Sequence, residues 1–220
     1  MATLEKMASF FEARLDGYDE HMLNNIESAT DFYPFTASLL PTTAGAEVLD
    51  LGCGTGLELE FYFTINPTAR ITGIDLSAGM LEALRSKFPH KDFTLIQGSY
   101  FDVPLERGKY RAALSVESLH HFAKEQKTGL YRRLYDALTP DGYFILTDYF
   151  APTEADEVFY ASELARLKKE QDITDGEFYH YDTPLTVGHE MEALLGGGFD
   201  KVEILGQWGA TATLRAVKES

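Results

Sequence analysis

Cysteine is nearly missing: the 220 residues contain one, Cys53. No disulfide can form within the chain, and a reducing, cytoplasmic compartment is the expectation. No apolar run approaches the ~20 residues a membrane-spanning helix needs, so no membrane partner is expected. The first residues, with Glu5, Lys6, Glu12 and Arg14 close together, lack the hydrophobic centre of a signal peptide. Basic residues are also short, 19 Lys and Arg against 35 Asp and Glu, a net charge of −16. Such a chain repels phosphate backbones, which disfavours a nucleic-acid substrate. Repeats and low-complexity segments are missing too. What is present is ordinary for a globular fold: 45% hydrophobic and 13% aromatic residues.

The chain is organised around Glu47-Val48-Leu49-Asp50-Leu51-Gly52-Cys53-Gly54-Thr55-Gly56. A short apolar run without regular polar alternation predicts a buried parallel strand over 46–51. Three glycines then predict a tight turn that something approaches closely, because glycine tolerates positive φ and has no Cβ in the way. A helix opening at Leu57 would set its N-terminus and free amides against a ligand. Leu57 stands where a dinucleotide fingerprint wants its third glycine, so the glycines do not match that pattern. Strand two, 70–75, ends on Asp75, an acid that can accept hydrogen bonds from both ribose hydroxyls. Ser77 then caps a helix carrying Met80, Leu81 and Leu84 on one face.

Val48 to Gly56 resembles the first motif of the class I S-adenosylmethionine (SAM) methyltransferases, and Gly73-Ile74-Asp75-Leu76-Ser77 with Met80-Leu81 resembles the second. The resemblance covers most of 44–149 and implies a Rossmann-like, doubly wound, seven-stranded sheet. That sheet is mostly parallel, with an antiparallel C-terminal strand and an N-terminal helical cap. It implies SAM as cofactor, S-adenosylhomocysteine as product and a small-molecule acceptor. By the same resemblance Asp50, Gly52, Cys53, Gly54 and Gly56 surround the methionine part, while Asp75, Leu76 and Met80 hold the adenosine. Tyr33 is either a cofactor contact or a packed aromatic. Family members usually carry Gly-Asp after strand three; here Gly98-Ser99 stands there, leaving adenine recognition to Ser99 or Tyr100. No Asp/Asn-Pro-Pro-Tyr/Phe tetrapeptide occurs, which disfavours amino-methylation by that motif.

The remaining chain is read as one methyltransferase domain, 1–220: cap 1–43, SAM-binding core 44–149, insertion 150–185, and a closing helix and strand pair over 186–220. Residues 3–28 read as helical, Asp31 to Pro34 as a break, and Phe35 to Leu40 as a further helix. Strand three is expected at 93–96, strand four at 111–116 and strand five at 143–148, with a helix over 123–138 and a turn at Thr139-Pro140-Asp141-Gly142. Asp102 is expected to cap a turn. Strand four carries Ser115 near its end and opens into Glu117, His120 and His121, at the crevice side of an open α/β sheet, which puts them near the reacting end of a bound cofactor, with Ser115 a cofactor-binding candidate. Glu117, His120 and His180 are the candidate bases, His120 and His121 alternatively packing the helix start; no metal is expected. A charged helix is expected at 154–170, and the acidic, aromatic stretch 172–182 is either a substrate cover or a surface loop. The layout is also similar to that of carboxy-SAM synthase, which modifies SAM itself. That relative is expected to hold its added carboxylate with an arginine before the last strand pair, where this chain has Glu190-Met191-Glu192. A SAM-binding regulator without turnover is the non-enzymatic alternative, and a homodimer is among the assemblies such a fold allows.

Overall fold

The computed structural model describes residues 3–219, so residues 1, 2 and 220, the outer ends of the expected cap and closing segment, lie outside the described residues. Three helices come first: α1 (Met7–Glu12), α2 (Tyr18–Asn25) and α3 (Ala29–Ser38). The alternating part follows with β1 (Glu47–Leu51), α4 (Leu57–Ile65), β2 (Arg70–Asp75), α5 (Ala78–Lys87), β3 (Asp92–Gln97), β4 (Tyr110–Val116), a 3₁₀ turn (Leu119–His121), α6 (Lys124–Ala137) and β5 (Leu138–Tyr149). Helices α7 (Glu154–Glu170) and α8 (Val187–Gly196) and strands β6 (Lys201–Trp208) and β7 (Thr211–Val217) close the chain.

The seven strands are ordered β3-β2-β1-β4-β5-β7-β6, with β7 antiparallel to both of its neighbours. Side chains alternate across each strand, and here both faces are buried. Leu49, Leu51, Phe144 and Leu146 pack with Leu130, Leu134 and Leu194 from α6 and α8. Val48, Ile71, Leu114 and Ile145 pack on the opposite side with Phe32, Leu59 and Leu84 from α3, α4 and α5. Each such buried side chain contributes about 1.5–3 kcal/mol relative to exposure. The strand order reverses at β1 and β4, and open α/β sheets bind ligands outside the C-terminal ends of the strands at that point.

Four sequence expectations change in detail. The leading helix is two helices, because Gly17 adopts the left-handed conformation (φ 78°) and restarts the chain as the N-cap of α2. Pro34 does not break the chain but sits inside α3, where burial of Phe32, Tyr33, Thr36 and Ala37 outweighs the lost amide bond. The turn at 139–142 lies within β5 as a bulge: Tyr110 and Ala112 of β4 pair with Leu138 and Tyr143, and Asp141 takes φ 58°. The turn after β3 is closed by Ser99, whose hydroxyl accepts from the Phe101 amide at 3.1 Å, rather than by the Asp102 side chain.

Candidate active site

The glycine turn is tied down on the β2 side. Gly52 and Cys53 amides donate to the Ile74 carbonyl at 2.8 and 3.2 Å. Gly52, Gly54 and Gly56 all have positive φ, at 71°, 47° and 72°. At Gly52 a Cβ would fall 2.1 Å from Ser118 Oγ, so the turn needs both the conformation and the space that only glycine supplies. Asp75 reaches back from the tip of β2: its carboxylate accepts from Gly54 N at 2.9 Å and from Ser77 N at 2.9 Å. Burial raises its pKa, with the amides of Ser77, Gly54 and Leu76 pulling the other way. Ser77 caps α5 as the sequence predicts, accepting from Met80 N at 3.1 Å.

Gly52, Gly54, Asp75, Leu76, Met80 and Tyr100 therefore line one cleft of about 50 Å³, roofed by Met7, Phe11 and Tyr18. The other residues expected at the cofactor lie behind it or beside it. Ser115 is fully buried and donates to the Leu51 carbonyl at 3.0 Å, joining β4 to β1. Cys53 turns its sulfur toward Gly73, where a Cβ would lie 2.8 Å away, and burial pushes its thiol pKa well up. Tyr33 is buried with its ring 4.8 Å from that of Phe32. Gly56 is the N-cap of α4, and Ser99 is engaged in its own turn. Asp50 and Glu58 are buried on either side of the glycine turn, and Asp50 Oδ2 and Glu58 Oε1 find no hydrogen-bond partner among the described residues. Burial and then the neighbouring Glu58 carboxyl push the Asp50 pKa well up, and burial raises Glu58 as well.

Beside the cleft lies a chamber of about 900 Å³, and Phe11, Tyr18, Glu117 and His121 line both. Its polar wall is built at the ends of β4 and β5. Glu117 leaves β4 in the left-handed conformation (φ 48°), a strained state for a residue with a side chain and one found at functional sites. Its carboxyl is pushed up to about 8 by burial and then by Asp148, and it accepts from Thr211 Oγ1 at 3.3 Å. Asp148, buried at the end of β5, accepts from Leu119 N at 2.8 Å and from Tyr149 N at 2.9 Å. Its other contact is His120 Nδ1 at 2.6 Å, which fixes the ring and leaves Nε2 toward the chamber, 3.5 Å from Asp182. Burial alone would lower the His120 pKa; the Asp148 and Asp182 carboxylates overrule it and push it up to about 10. His180 stacks on Phe10 with ring centres 3.5 Å apart, and burial followed by the His121 charge brings it down to about 4. The fold thus brings all three candidate bases to one chamber.

Phe10, Phe11 and Tyr18 were legible only as part of the helical stretch read over 3–28, yet they form walls of the site. Asp182 could be seen only as one acid in an acidic, aromatic stretch. Nothing local links it to His120, 62 residues earlier.

A model of the methyltransferase domain matches residues 48–142. Over 97% of its length the chain is 30% identical to carboxy-S-adenosyl-L-methionine synthase of Wolinella succinogenes, 92% of which is covered. The chain belongs to the SAM-dependent methyltransferase superfamily. An uncharacterised Synechococcus protein is 29% identical over 66% of this chain, which spans 36% of that protein's length. The structure of human N-acetylserotonin methyltransferase in complex with SAM superposes with a TM-score of 0.66 at 16% identity, over 97% of this chain and 57% of that one. Among the described residues no helix is long and apolar enough to cross a membrane.

Three features of this methyltransferase-superfamily chain fit SAM, the cofactor of the group. Positive-φ glycines let the backbone approach a ligand. Asp75 presents a carboxylate at the cleft, with lone pairs beyond its two amide bonds. The unpartnered oxygens of Asp50 and Glu58 leave buried hydrogen-bond acceptors beside the turn, which can receive the N–H groups of a ligand's amino end.

Proposed function

We propose that the chain transfers the methyl group of SAM to a small molecule held in the chamber. The observation that carries this reading is the shared wall: Phe11, Tyr18, Glu117 and His121 border both the cleft and the chamber. A methyl donor on one side and an acceptor on the other can meet there in line, and such positioning supplies much of the acceleration in a displacement. SAM, when bound, supplies an electrophilic methyl on sulfur. Gly52 and Gly54 admit the methionine part, and Asp75 accepts from the ribose hydroxyls. Phe11 and Tyr18 keep water from the meeting point. His120 Nε2, with Asp148 bonded to the far ring nitrogen, faces the acceptor side. While Asp182 stands 3.5 Å away the imidazole keeps its proton; once an acceptor displaces Asp182 and the Nε2 proton has passed to solvent, the freed nitrogen can take the acceptor's proton. The acidic walls, including Asp16, Glu27 and Asp182, suit a neutral or cationic acceptor.

Calorimetry with SAM and NAD, followed by assay of S-adenosylhomocysteine release with a metabolite extract, tests the reading. SAM binding and release of the product support it; tight NAD binding without SAM binding sinks it. SAM binding with no release of S-adenosylhomocysteine in any extract would favour a sensor.

A second reading, formation of carboxy-SAM, is favoured by the near full-length likeness to the Wolinella enzyme. Against it, the segment before the last strand pair offers Glu190, which is buried and engaged by Lys127 Nζ at 2.6 Å and by the Tyr131 hydroxyl. No arginine stands there. Mass spectrometry of the SAM-derived product separates the two readings.

A further inference from the structure

Three donor atoms from two distant segments converge on one point of the chamber wall. We propose that His120 Nε2, His121 Nδ1 and an Asp182 carboxylate oxygen form a binding site for one divalent first-row cation, which takes the place of the His120 Nε2 proton and excludes the base role of that nitrogen while it is bound. Asp182 Oδ1 lies 3.5 Å from His120 Nε2 and 3.2 Å from His121 Nδ1, and all three ligand atoms fall within 4.8 Å of one another. A cation with bonds of about 2.1 Å holds neighbouring ligands about 3.0–3.4 Å apart, from octahedral to tetrahedral geometry. Two imidazoles and one carboxylate with the remaining positions open are a donor set for zinc, iron, cobalt or manganese rather than calcium.

The surroundings are those of a ligand set and not only of a hydrogen-bonded cluster. Asp148 holds His120 through Nδ1 at 2.6 Å, the carboxylate–histidine arrangement that orients a ligating ring. Asp182 is placed by its neighbours' backbone: His180 N donates to Glu5 O at 2.9 Å, and Thr183 N donates to His120 O at 2.8 Å. The second of these bonds ties the Asp182 segment directly to the histidine turn. The two rings are buried, while the Asp182 side chain is 50% exposed and leaves an entry path from the chamber. The sequence carries no metal-ligand spacing for this set, since its parts are 62 residues apart and only the fold joins them. His121 Nδ1 also lies 3.2 Å from the Tyr181 carbonyl oxygen, so a cation bound there takes the place of a hydrogen bond and the ring carries its proton on Nε2.

Cobalt titration of the full chain after EDTA treatment and dialysis tests the proposal, followed by visible d–d absorption and by elemental analysis. The expected result is one equivalent of Co²⁺ with a ligand-field band, displaced by Zn²⁺. D182N and H121A each weaken binding at least about tenfold, and D148N weakens it about 10–100-fold. D182N alters a half-exposed side chain and carries the test if H121A does not fold. Absence of saturable binding, or wild-type affinity in D182N, overturns the site. SAM affinity is measured on the same samples by calorimetry. A chain that binds cobalt but not SAM would overturn the methyl-transfer reading and leave the metal site standing.

Discussion

Asp75 is the single side chain on which the cofactor reading turns. It accepts two backbone amides already, so its carboxylate is held in place rather than free to swing. Two hydroxyl bonds to a charged acceptor contribute about 1.5 kcal/mol each, so D75A should weaken SAM binding about 100-fold by calorimetry. D75N, which keeps the shape, should fall between. Undiminished affinity in a folded D75A protein would remove Asp75 from the site. Asp50 makes a different prediction, on stability. Its carboxyl pKa is raised in the folded state by burial and by Glu58. A group so raised contributes stability in full below its ordinary value of 3.8, and that contribution is lost as pH rises toward the folded value. Asn at this position has nothing to ionise. The melting temperature of D50N relative to the native chain should therefore climb as pH rises from about 4 to neutrality. A difference that stays flat with pH would show that Asp50 keeps its ordinary pKa. Cys53 is inert for the same physical reason: burial holds it as the thiol, and it should not react with a disulfide reagent until the chain is unfolded.

At the scale of elements, α6 and α8 are joined by a buried ion pair. Lys127 and Glu190 are almost fully shielded, with Lys127 Nζ 2.6 Å from Glu190 and the Tyr131 hydroxyl also donating to that carboxylate. Removing one partner strands the other charge, so K127M alone should destabilise by about 3–5 kcal/mol in urea unfolding. K127M/E190L/Y131F, which removes all three polar groups, should recover most of that loss. If the single and the triple variants were equally unstable, the helices would be held by packing shape rather than by the pair. The short cap helices show the opposite economy. Helices α1 and α2 have six and eight residues. Isolated helices of that length are marginal, so tertiary contacts hold them.

Those contacts bear on the whole molecule. Glu12 of α1 accepts from Ser77 Oγ at 2.5 Å and from Gly79 N at 3.1 Å, Met7 N donates to Phe178 O, and Asp19 of α2 pairs with Lys87 at 2.7 Å. The cap closes the cofactor cleft to about 50 Å³, whereas ligand pockets run about 300–1,000 Å³. Entry of SAM therefore requires the cap to lift, and its few half-exposed hydrogen bonds make such opening a low-energy event. Arg14, in the linker between α1 and α2, is half exposed and stacks on Phe10 at 3.7 Å. Saturating SAM should slow tryptic cleavage after Arg14 about tenfold, because ligand binding draws the population toward the closed cap. Unchanged cleavage would mean that the cofactor enters by another route.

The alternation of strands and helices was legible because it is local: apolar runs, glycines needing positive φ, and a serine cap each act within a few residues. β2, α7 and the Ser77 cap lie where the pattern puts them, and Asp75 stands at its strand tip. Pro34 misled because packing of Phe32 and Tyr33 against the sheet outweighs one lost amide bond. What the tertiary structure alone decided is the company each polar group keeps. Ser115 became a strut between strands, Asp50 a buried acid beside Glu58, and His120 a ring set between Asp148 and Asp182. Burial and neighbouring charge set those roles, and both depend on chain segments that only folding brings together.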